Sequence, residues 1–367
     1  MRDYLIIAIV LASLPVGLFS PYGGLLVYSW ISYMYPQWLA WSFARTFPVA
    51  YLAGLSLIVG FIIHRFPGQL AVVRMRENTT QIALLAMFTV SSIYSLYPVR
   101  AWVQFTDMLK IIVVALLTSI LLTNRARVRM FLMVVALSLG FYGFKGGIFG
   151  IKSSGENLVW GPGTSIIGAN NAIGLALNMC LPMLWYLSLD VRRTWLKLGL
   201  RLTFFLTIPA IMFTYSRAST LGLVAVLLVM ILKSRKRFLL LALALVIGFI
   251  ALPSLPDKWM HRQRSTYEYQ EDVSALSRLE EWKFCWRVAL DRPFIGAGFD
   301  PYTNATYMKY YPEFLVEFGR RYSAHSIYFG ILAEHGFIGL ALYLAMIAFC
   351  FLSTRKIKRQ VRGQPEL

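Results

Sequence analysis

The chain has 367 residues, 58% of them hydrophobic and 14% charged, with a formal net charge of +19. An ordinary soluble domain is about 45–50% apolar and about 25% charged, so the composition excludes one. A nucleic-acid-binding role would need one clustered basic face, whereas many basic residues here stand in short groups beside apolar runs.

In chain order, residues 1–47 hold two apolar stretches, Leu5–Ser20 and Gly24–Met34, interrupted by Pro21 and the Gly23–Gly24 pair. One crossing or a broken pair keeps the N-terminus inside; two full crossings place it outside. The inside placement is favoured. Leu5–Ser20 lacks a small-residue cleavage site and reads as a span rather than a removed leader. Further spans are expected at roughly 48–64, 80–97, 105–123, 129–146, 171–189, 200–214, 218–233, 238–252 and 326–352. The runs are continuous rather than alternating, and about 20 apolar residues carry a helix across a bilayer. The expected fold is therefore an all-α polytopic membrane protein with about ten to twelve transmembrane helices.

Five short segments carry nineteen basic residues and three acids, supplying +16 of the net charge. They are Arg65 to Glu77, Arg125 to Arg129, Asp190 to Arg201, Lys233 to Arg237, and Arg355 to Glu366. Basic loops mark the cytoplasmic side. Alternation from the first of them places all five on one side. Residues 1–252 then form a transmembrane region with a smaller periplasmic loop at 147–170. A large periplasmic loop with short helices follows at 253–325, then a final span at 326–354 and a cytoplasmic basic tail at 355–367. The large loop has ten basic and ten acidic residues, and its many Trp and Tyr suit a membrane–water interface. The three cysteines show no metal spacing and read as packing residues. No internal repeat supports an inverted-repeat transporter.

Three segments carry candidate chemistry. Ser277-Arg278-Leu279-Glu280 has the spacing of a capping box, with an amphipathic stretch behind it. Arg278 would then lie in the first turn of a short helix, where free N–H groups and a guanidinium favour an anion such as pyrophosphate. The alternative is a surface arginine paired with Glu281. Arg217, in Tyr215-Ser216-Arg217, falls at the outer end of two spans. It either faces a cavity or snorkels to the interface. His325 starts the last apolar helix, where the dipole disfavours imidazolium and a neutral ring can accept a proton. The alternative is a capping or interfacial histidine. Glu334, deeper in that helix, either orients a partner or satisfies a buried group, and the structural role is favoured. Glu334 and His335 precede Gly336 and Gly339, where the helix can thin or bend. Lys145, Lys152, Trp160, Asn170 and Asn171 lie in or beside the smaller outer loop and could contact a phosphate or sugar. Asp107 and Lys110 are expected to pair. Nucleotide-sugar and metal motifs are absent, so the expected chemistry uses no metal and no cofactor.

Taken together, Thr214-Tyr215-Ser216-Arg217, Ser277-Arg278-Leu279 through Trp282 to Gly298, and His325 with Glu334-His335-Gly336-Phe337-Ile338-Gly339 resemble the O-antigen ligase and polymerase superfamily. Phe141 to Gly147, Val159-Trp160-Gly161-Pro162, Ala324 to Phe329 and Ser32 to Pro36 look like the exosortase-associated O-glycosylation ligases within it. The resemblance implies a GT-C-like helical fold in a bacterial inner membrane, with the site facing the periplasm. It implies a glycan donor on undecaprenyl pyrophosphate and an acceptor hydroxyl on protein or glycolipid. It also implies pyrophosphate binding by Arg217 and Arg278 and acceptor activation by His325, with Lys145, Trp160, Tyr215 and Glu334 as secondary candidates. Transfer would be metal-independent and inverting. A polymerase of the same superfamily would use the same residues. A polysaccharide transporter would instead line central helices with charge, and a structural partner would tolerate changes at Arg217 and His325.

Overall fold

The computed structural model describes residues 1–64, 69–251, 256–264, 273–319 and 321–361. Arg65, Arg320, Arg362, Glu366 and residues 252–255 and 265–272 lie outside the described residues. Among the described residues every regular element is helical, and the chain is an all-α polytopic membrane protein. In order these are α1 (Arg2–Ser13), α2 (Pro15–Phe19), α3 (Pro21–Met34), α4 (Val49–Ile63), α5 (Gln69–Val73), α6 (Arg76–Ile93) and α7 (Pro98–Leu121). Next come α8 (Arg125–Lys152), α9 (Asn170–Asp190), α10 (Thr194–Met212), α11 (Arg217–Leu232), α12 (Arg237–Ala251) and α13 (Asp257–Arg264). The last are α14 (Val273–Asp291), α15 (Asn304–Tyr310), α16 (Pro312–Phe318) and α17 (Ile327–Val361).

Among the described residues six stretches are long and apolar enough to cross a bilayer: Arg2–Phe19, Pro98–Leu121, Arg125–Lys152, Asn170–Asp190, Thr194–Met212 and Ile327–Val361. Val49–Ile63, Arg217–Leu232 and Arg237–Val246 are shorter apolar helices. Every span expected beyond residue 47 falls on a helix. The N-terminal interruption is a helix start: Pro21 opens α3, and Ser20 Oγ accepts from Gly23 N at 3.2 Å. Proline tolerates that position because its missing N–H would be unpaired there anyway. The smaller outer loop is shorter than expected, because α8 runs on through Lys152. Its first six expected residues continue the helix.

The contacts divide the chain into two compact units, Met1–Arg65 with Leu121–Glu268, and Phe66–Ile120 with Tyr269–Leu367. The segment 253–325 therefore contributes to both units. In the first, α8, α9 and α10 pack together around Leu139, Ile173, Leu177, Leu184 and Phe204. Small residues let membrane helices approach closely, since apolar burial does not drive their association in lipid. Gly147 shows this: a Cβ there would lie 2.0 Å from the Leu206 carbonyl oxygen of α10. Tyr142 on α8 donates to the Met34 carbonyl at 2.6 Å and so ties in the end of α3.

In the second unit α6 and α14 both pack on α17. The turn 293–298 inserts where α17 breaks. Gly336 has φ +67°, a conformation that side chains disfavour. A helix break frees backbone groups that must be paired inside a membrane protein. Here Ala297 N donates to Ala333 O at 2.9 Å, Gly298 N to Glu334 O at 2.8 Å, and Phe337 N to Pro293 O at 2.7 Å. The bend expected near Gly336 is thus a break filled by the turn 293–298.

Candidate active site

Arg217 is the first residue of α11 and half-buried. Tyr215 precedes it with φ +56°, and Ser216 caps the helix by accepting from Ser219 N at 3.2 Å. A non-glycine residue at positive φ needs support from its surroundings. Each carbonyl leading into the turn is captured by a different segment. Trp259 Nε1 of α13 donates to Met212 O at 3.0 Å, Val159 N to Phe213 O at 2.9 Å, and Asn170 Nδ2 to Thr214 O at 3.0 Å. Buried Tyr215 donates its hydroxyl to the Gly155 carbonyl. Burial raises the Tyr215 pKa, with Glu156 acting in the same direction, so it stays a neutral donor. These contacts make Tyr215 a brace for the turn. Lys258 lies over its ring, 5.8 Å from Nζ to the centroid. Neither Lys258 nor Trp259 was singled out by sequence patterning; an adjacent lysine and tryptophan in a polar loop was the available signal.

The other outer candidates are on the surface of this unit. Lys145 is exposed on α8, and Trp160 is exposed beyond it. The turn after Trp160 closes through Gly161 N to Gly168 O at 3.1 Å. It rests on the residues after α3, where Tyr35 and Thr164 hydroxyls meet at 3.0 Å.

His325 and Arg278 belong to the second unit. Helix α14 begins at Val273, so Ser277 is no cap: it is buried mid-helix, and Arg278 lies beyond the first turn. The free N–H groups expected around Arg278 are consequently bonded within the helix, and its anion-binding capacity rests on the exposed guanidinium. The pairing with Glu281 is likewise not a contact ion pair. Glu281 is fully buried and neither of its oxygens has a hydrogen-bond partner. Burial pushes its carboxyl up to about 7, with the Arg278 guanidinium pulling the other way.

His325 has φ +43° and is followed by Ser326, whose Oγ accepts from Phe329 N at 3.4 Å at the head of α17. This repeats the pattern at Tyr215-Ser216: a residue at positive φ, a serine cap, then a helix. The His325 ring is accessible. Partial burial lowers its pKa, and the Arg278 guanidinium lowers it further. The imidazole is thereby neutral at pH 7 and able to accept a proton. Trp282, one turn after Arg278, holds this end of α17. Its indole N–H donates to Ala324 O at 3.1 Å, and its ring stacks on Phe329 at 5.0 Å. Beside them lies a groove of about 640 Å³ lined by Leu279, Glu280, Trp282, Lys283, Trp286, Arg287 and Phe329.

Glu334 accepts from Asp300 N at 3.4 Å, while Arg100 pairs with the Asp300 side chain, Nε to Oδ2 being 2.9 Å. His335 is buried between Phe88 and Phe299, with Nδ1 2.6 Å from Ser91 Oγ. Both residues knit α17 to its neighbours. The structure thus brings Arg278 and His325 into electrostatic range of each other within one unit and builds Arg217 into a braced turn of the other. Among the described residues no group of three or more His, Cys, Asp or Glu comes together as a metal site.

Residues 1–184 match the model of a family of unknown function (DUF5935), and residues 202–344 match the O-antigen ligase model. No curated protein and no solved structure matches the chain.

Proposed function

Since the chain belongs to the O-antigen ligase superfamily through residues 202–344 and to the DUF5935 family through residues 1–184, we propose that it transfers a glycan from undecaprenyl pyrophosphate to an acceptor hydroxyl. The reaction takes place on the periplasmic side of a bacterial inner membrane. The observation that carries this reading is the accessible His325, fixed at the head of α17 by Trp282 and within electrostatic range of the Arg278 guanidinium, which together with partial burial lowers its pKa.

Arg217 and Arg278 hold the donor diphosphate, Arg217 from a turn that has little freedom to move. The acceptor oxygen attacks the anomeric carbon as its proton passes to His325. The C1–O bond breaks and its electron pair leaves with the pyrophosphate. Fixed cations near a low-dielectric boundary stabilise the charge that develops there. In-line displacement inverts the anomeric centre.

The test is to incubate the purified full chain in lipid nanodiscs with a lipid-linked glycan and candidate protein and glycolipid acceptors. Acceptor glycosylation with stoichiometric release of undecaprenyl pyrophosphate is the expected result. Translocation of an intact lipid-linked glycan with no bond broken would sink the reading in favour of a transporter. Joining of two donor glycans would move it to a polymerase.

A further inference from the structure

Helix α14 carries a second ionisable group beside Arg278. Glu281, three residues on and so on the same side of the helix, is fully buried with both carboxylate oxygens unpartnered. Its neighbour Glu280 is treated differently: Lys283 Nζ reaches Glu280 at 2.6 Å, and Tyr311 donates to it. Among the described residues no such donor reaches Glu281. A buried carboxylate without a donor sheds its charge by taking a proton. Among the described residues, the groups that act on or face Glu281 are Arg278 and Cys285 on its own helix and Tyr307 from α15. Burial raises the pKa of both the thiol and the phenol, leaving them neutral. Arg278 is therefore the charge that favours an ionised Glu281, and Arg278 is exposed to whatever binds it.

We propose that Glu281 couples donor binding to a proton: it takes one up when a diphosphate occupies Arg278 and returns it to solvent when the diphosphate leaves. This inference rests on the reading that Arg278 holds the donor. An anion on the guanidinium cancels the field that favours carboxylate and adds one that opposes it. Linkage makes the effect mutual. A protonated Glu281 leaves Arg278 fully available, and an ionised one competes with the ligand. Glu281, pushed up to about 7 by burial, lies where this exchange occurs at physiological pH. The sign follows: donor affinity is highest below pH 7 and declines as Glu281 ionises above it. The leaving pyrophosphate carries more negative charge than the donor diester, so the same proton eases its retention as the bond breaks.

The probe is a short-chain prenyl diphosphate sugar, whose two phosphates are diesters and do not titrate between pH 6 and 9. Its binding to the purified full chain is followed by calorimetry at pH 8 in buffers of different ionisation enthalpy. A shift of about one pKa unit on binding corresponds to uptake of roughly half a proton and an affinity loss of about tenfold from pH 6 to pH 9. Glu281→Gln should bind at every pH as wild type does at pH 6, with no uptake. The proton count on wild type stands even if the variant folds poorly. Arg278-dependent binding without proton uptake, or with equal uptake in Glu281→Gln, overturns the inference and leaves the donor site in place. No binding to wild type, or unchanged binding by Arg278→Ala, overturns the donor site itself, and this inference with it.

Discussion

The indole N–H of Trp282 donates to the carbonyl of Ala324 at 3.1 Å. Ala324 is the residue before His325, so the candidate base inherits its position from a tryptophan one helical turn beyond the candidate phosphate ligand. A misplacement of about 1 Å can cost roughly 10²-fold in rate. Trp282→Phe keeps an aromatic face for Phe329 and deletes the donor. Stability should fall by about 0.5–1.5 kcal/mol, the usual worth of one hydrogen bond. The transfer rate should fall by about tenfold or more, with donor affinity nearly unchanged. A loss of stability with no loss of rate would show that His325 is held by something else.

His325→Ala should lose roughly 10²–10⁴-fold in rate, the usual contribution of general acid–base catalysis, while still binding the lipid diphosphate. Burial and Arg278 depress the His325 pKa below its ordinary value of 6.5. The ring is therefore neutral and competent above that value, and the wild-type rate should decline only on the acid side of it. His325→Gln should show no such acid limb. A full-rate His325→Ala would remove the histidine from the mechanism.

His335 lies ten residues further on and has a different task. His335→Ala removes its contact to the Ser91 hydroxyl and its place between Phe88 and Phe299. Cavity formation in a packed site costs on the order of 2–4 kcal/mol, read as a lower melting temperature in detergent. At a temperature where the variant is folded, its acid limb should match wild type. A variant that melts like wild type yet fails to turn over would transfer the catalytic assignment to His335.

Arg217→Ala should nearly abolish transfer. Arg217→Lys should recover part of it, because a point charge does not reproduce the planar fork that meets two phosphate oxygens. Equal rates for the lysine variant and wild type would reduce Arg217 to a general electrostatic role.

Reporter fusions test the orientation. Fusions at residues 235 and 358 should read cytoplasmic, as their basic clusters require, and a fusion near residue 300 should read periplasmic. A cytoplasmic signal near residue 300 would put Arg278 and His325 on the wrong side for a periplasmic donor.

The spans were legible because bilayer crossing demands long apolar runs, and every run beyond residue 47 became a helix. The pair Asp107 and Lys110 was legible too, from spacing alone, and meets at 2.9 Å. Ser277 misled because a capping box is a local pattern, whereas α14 starts earlier, at Val273, and buries that serine. The isolation of Glu281 was invisible for a related reason. Spacing places Arg278 and Glu281 on one side of a helix, but whether they touch depends on packing from elsewhere. The bracing of the Tyr215 turn by Trp259, Val159 and Asn170 was hidden because the donors come from segments distant in sequence.

The turn at 293–298 and the break at Gly336 have a consequence for biogenesis. The turn leaves the ribosome first, so the amides of Ala297 and Gly298 emerge ahead of their acceptors, Ala333 and Glu334. The amide of Phe337 in turn finds Pro293 O in a turn that was made before it. The last span therefore does not insert as a self-sufficient hydrophobic rod. The break at Gly336 closes against a turn that the chain has already supplied. A chain truncated before residue 333 would leave the amides of Ala297 and Gly298 without these acceptors.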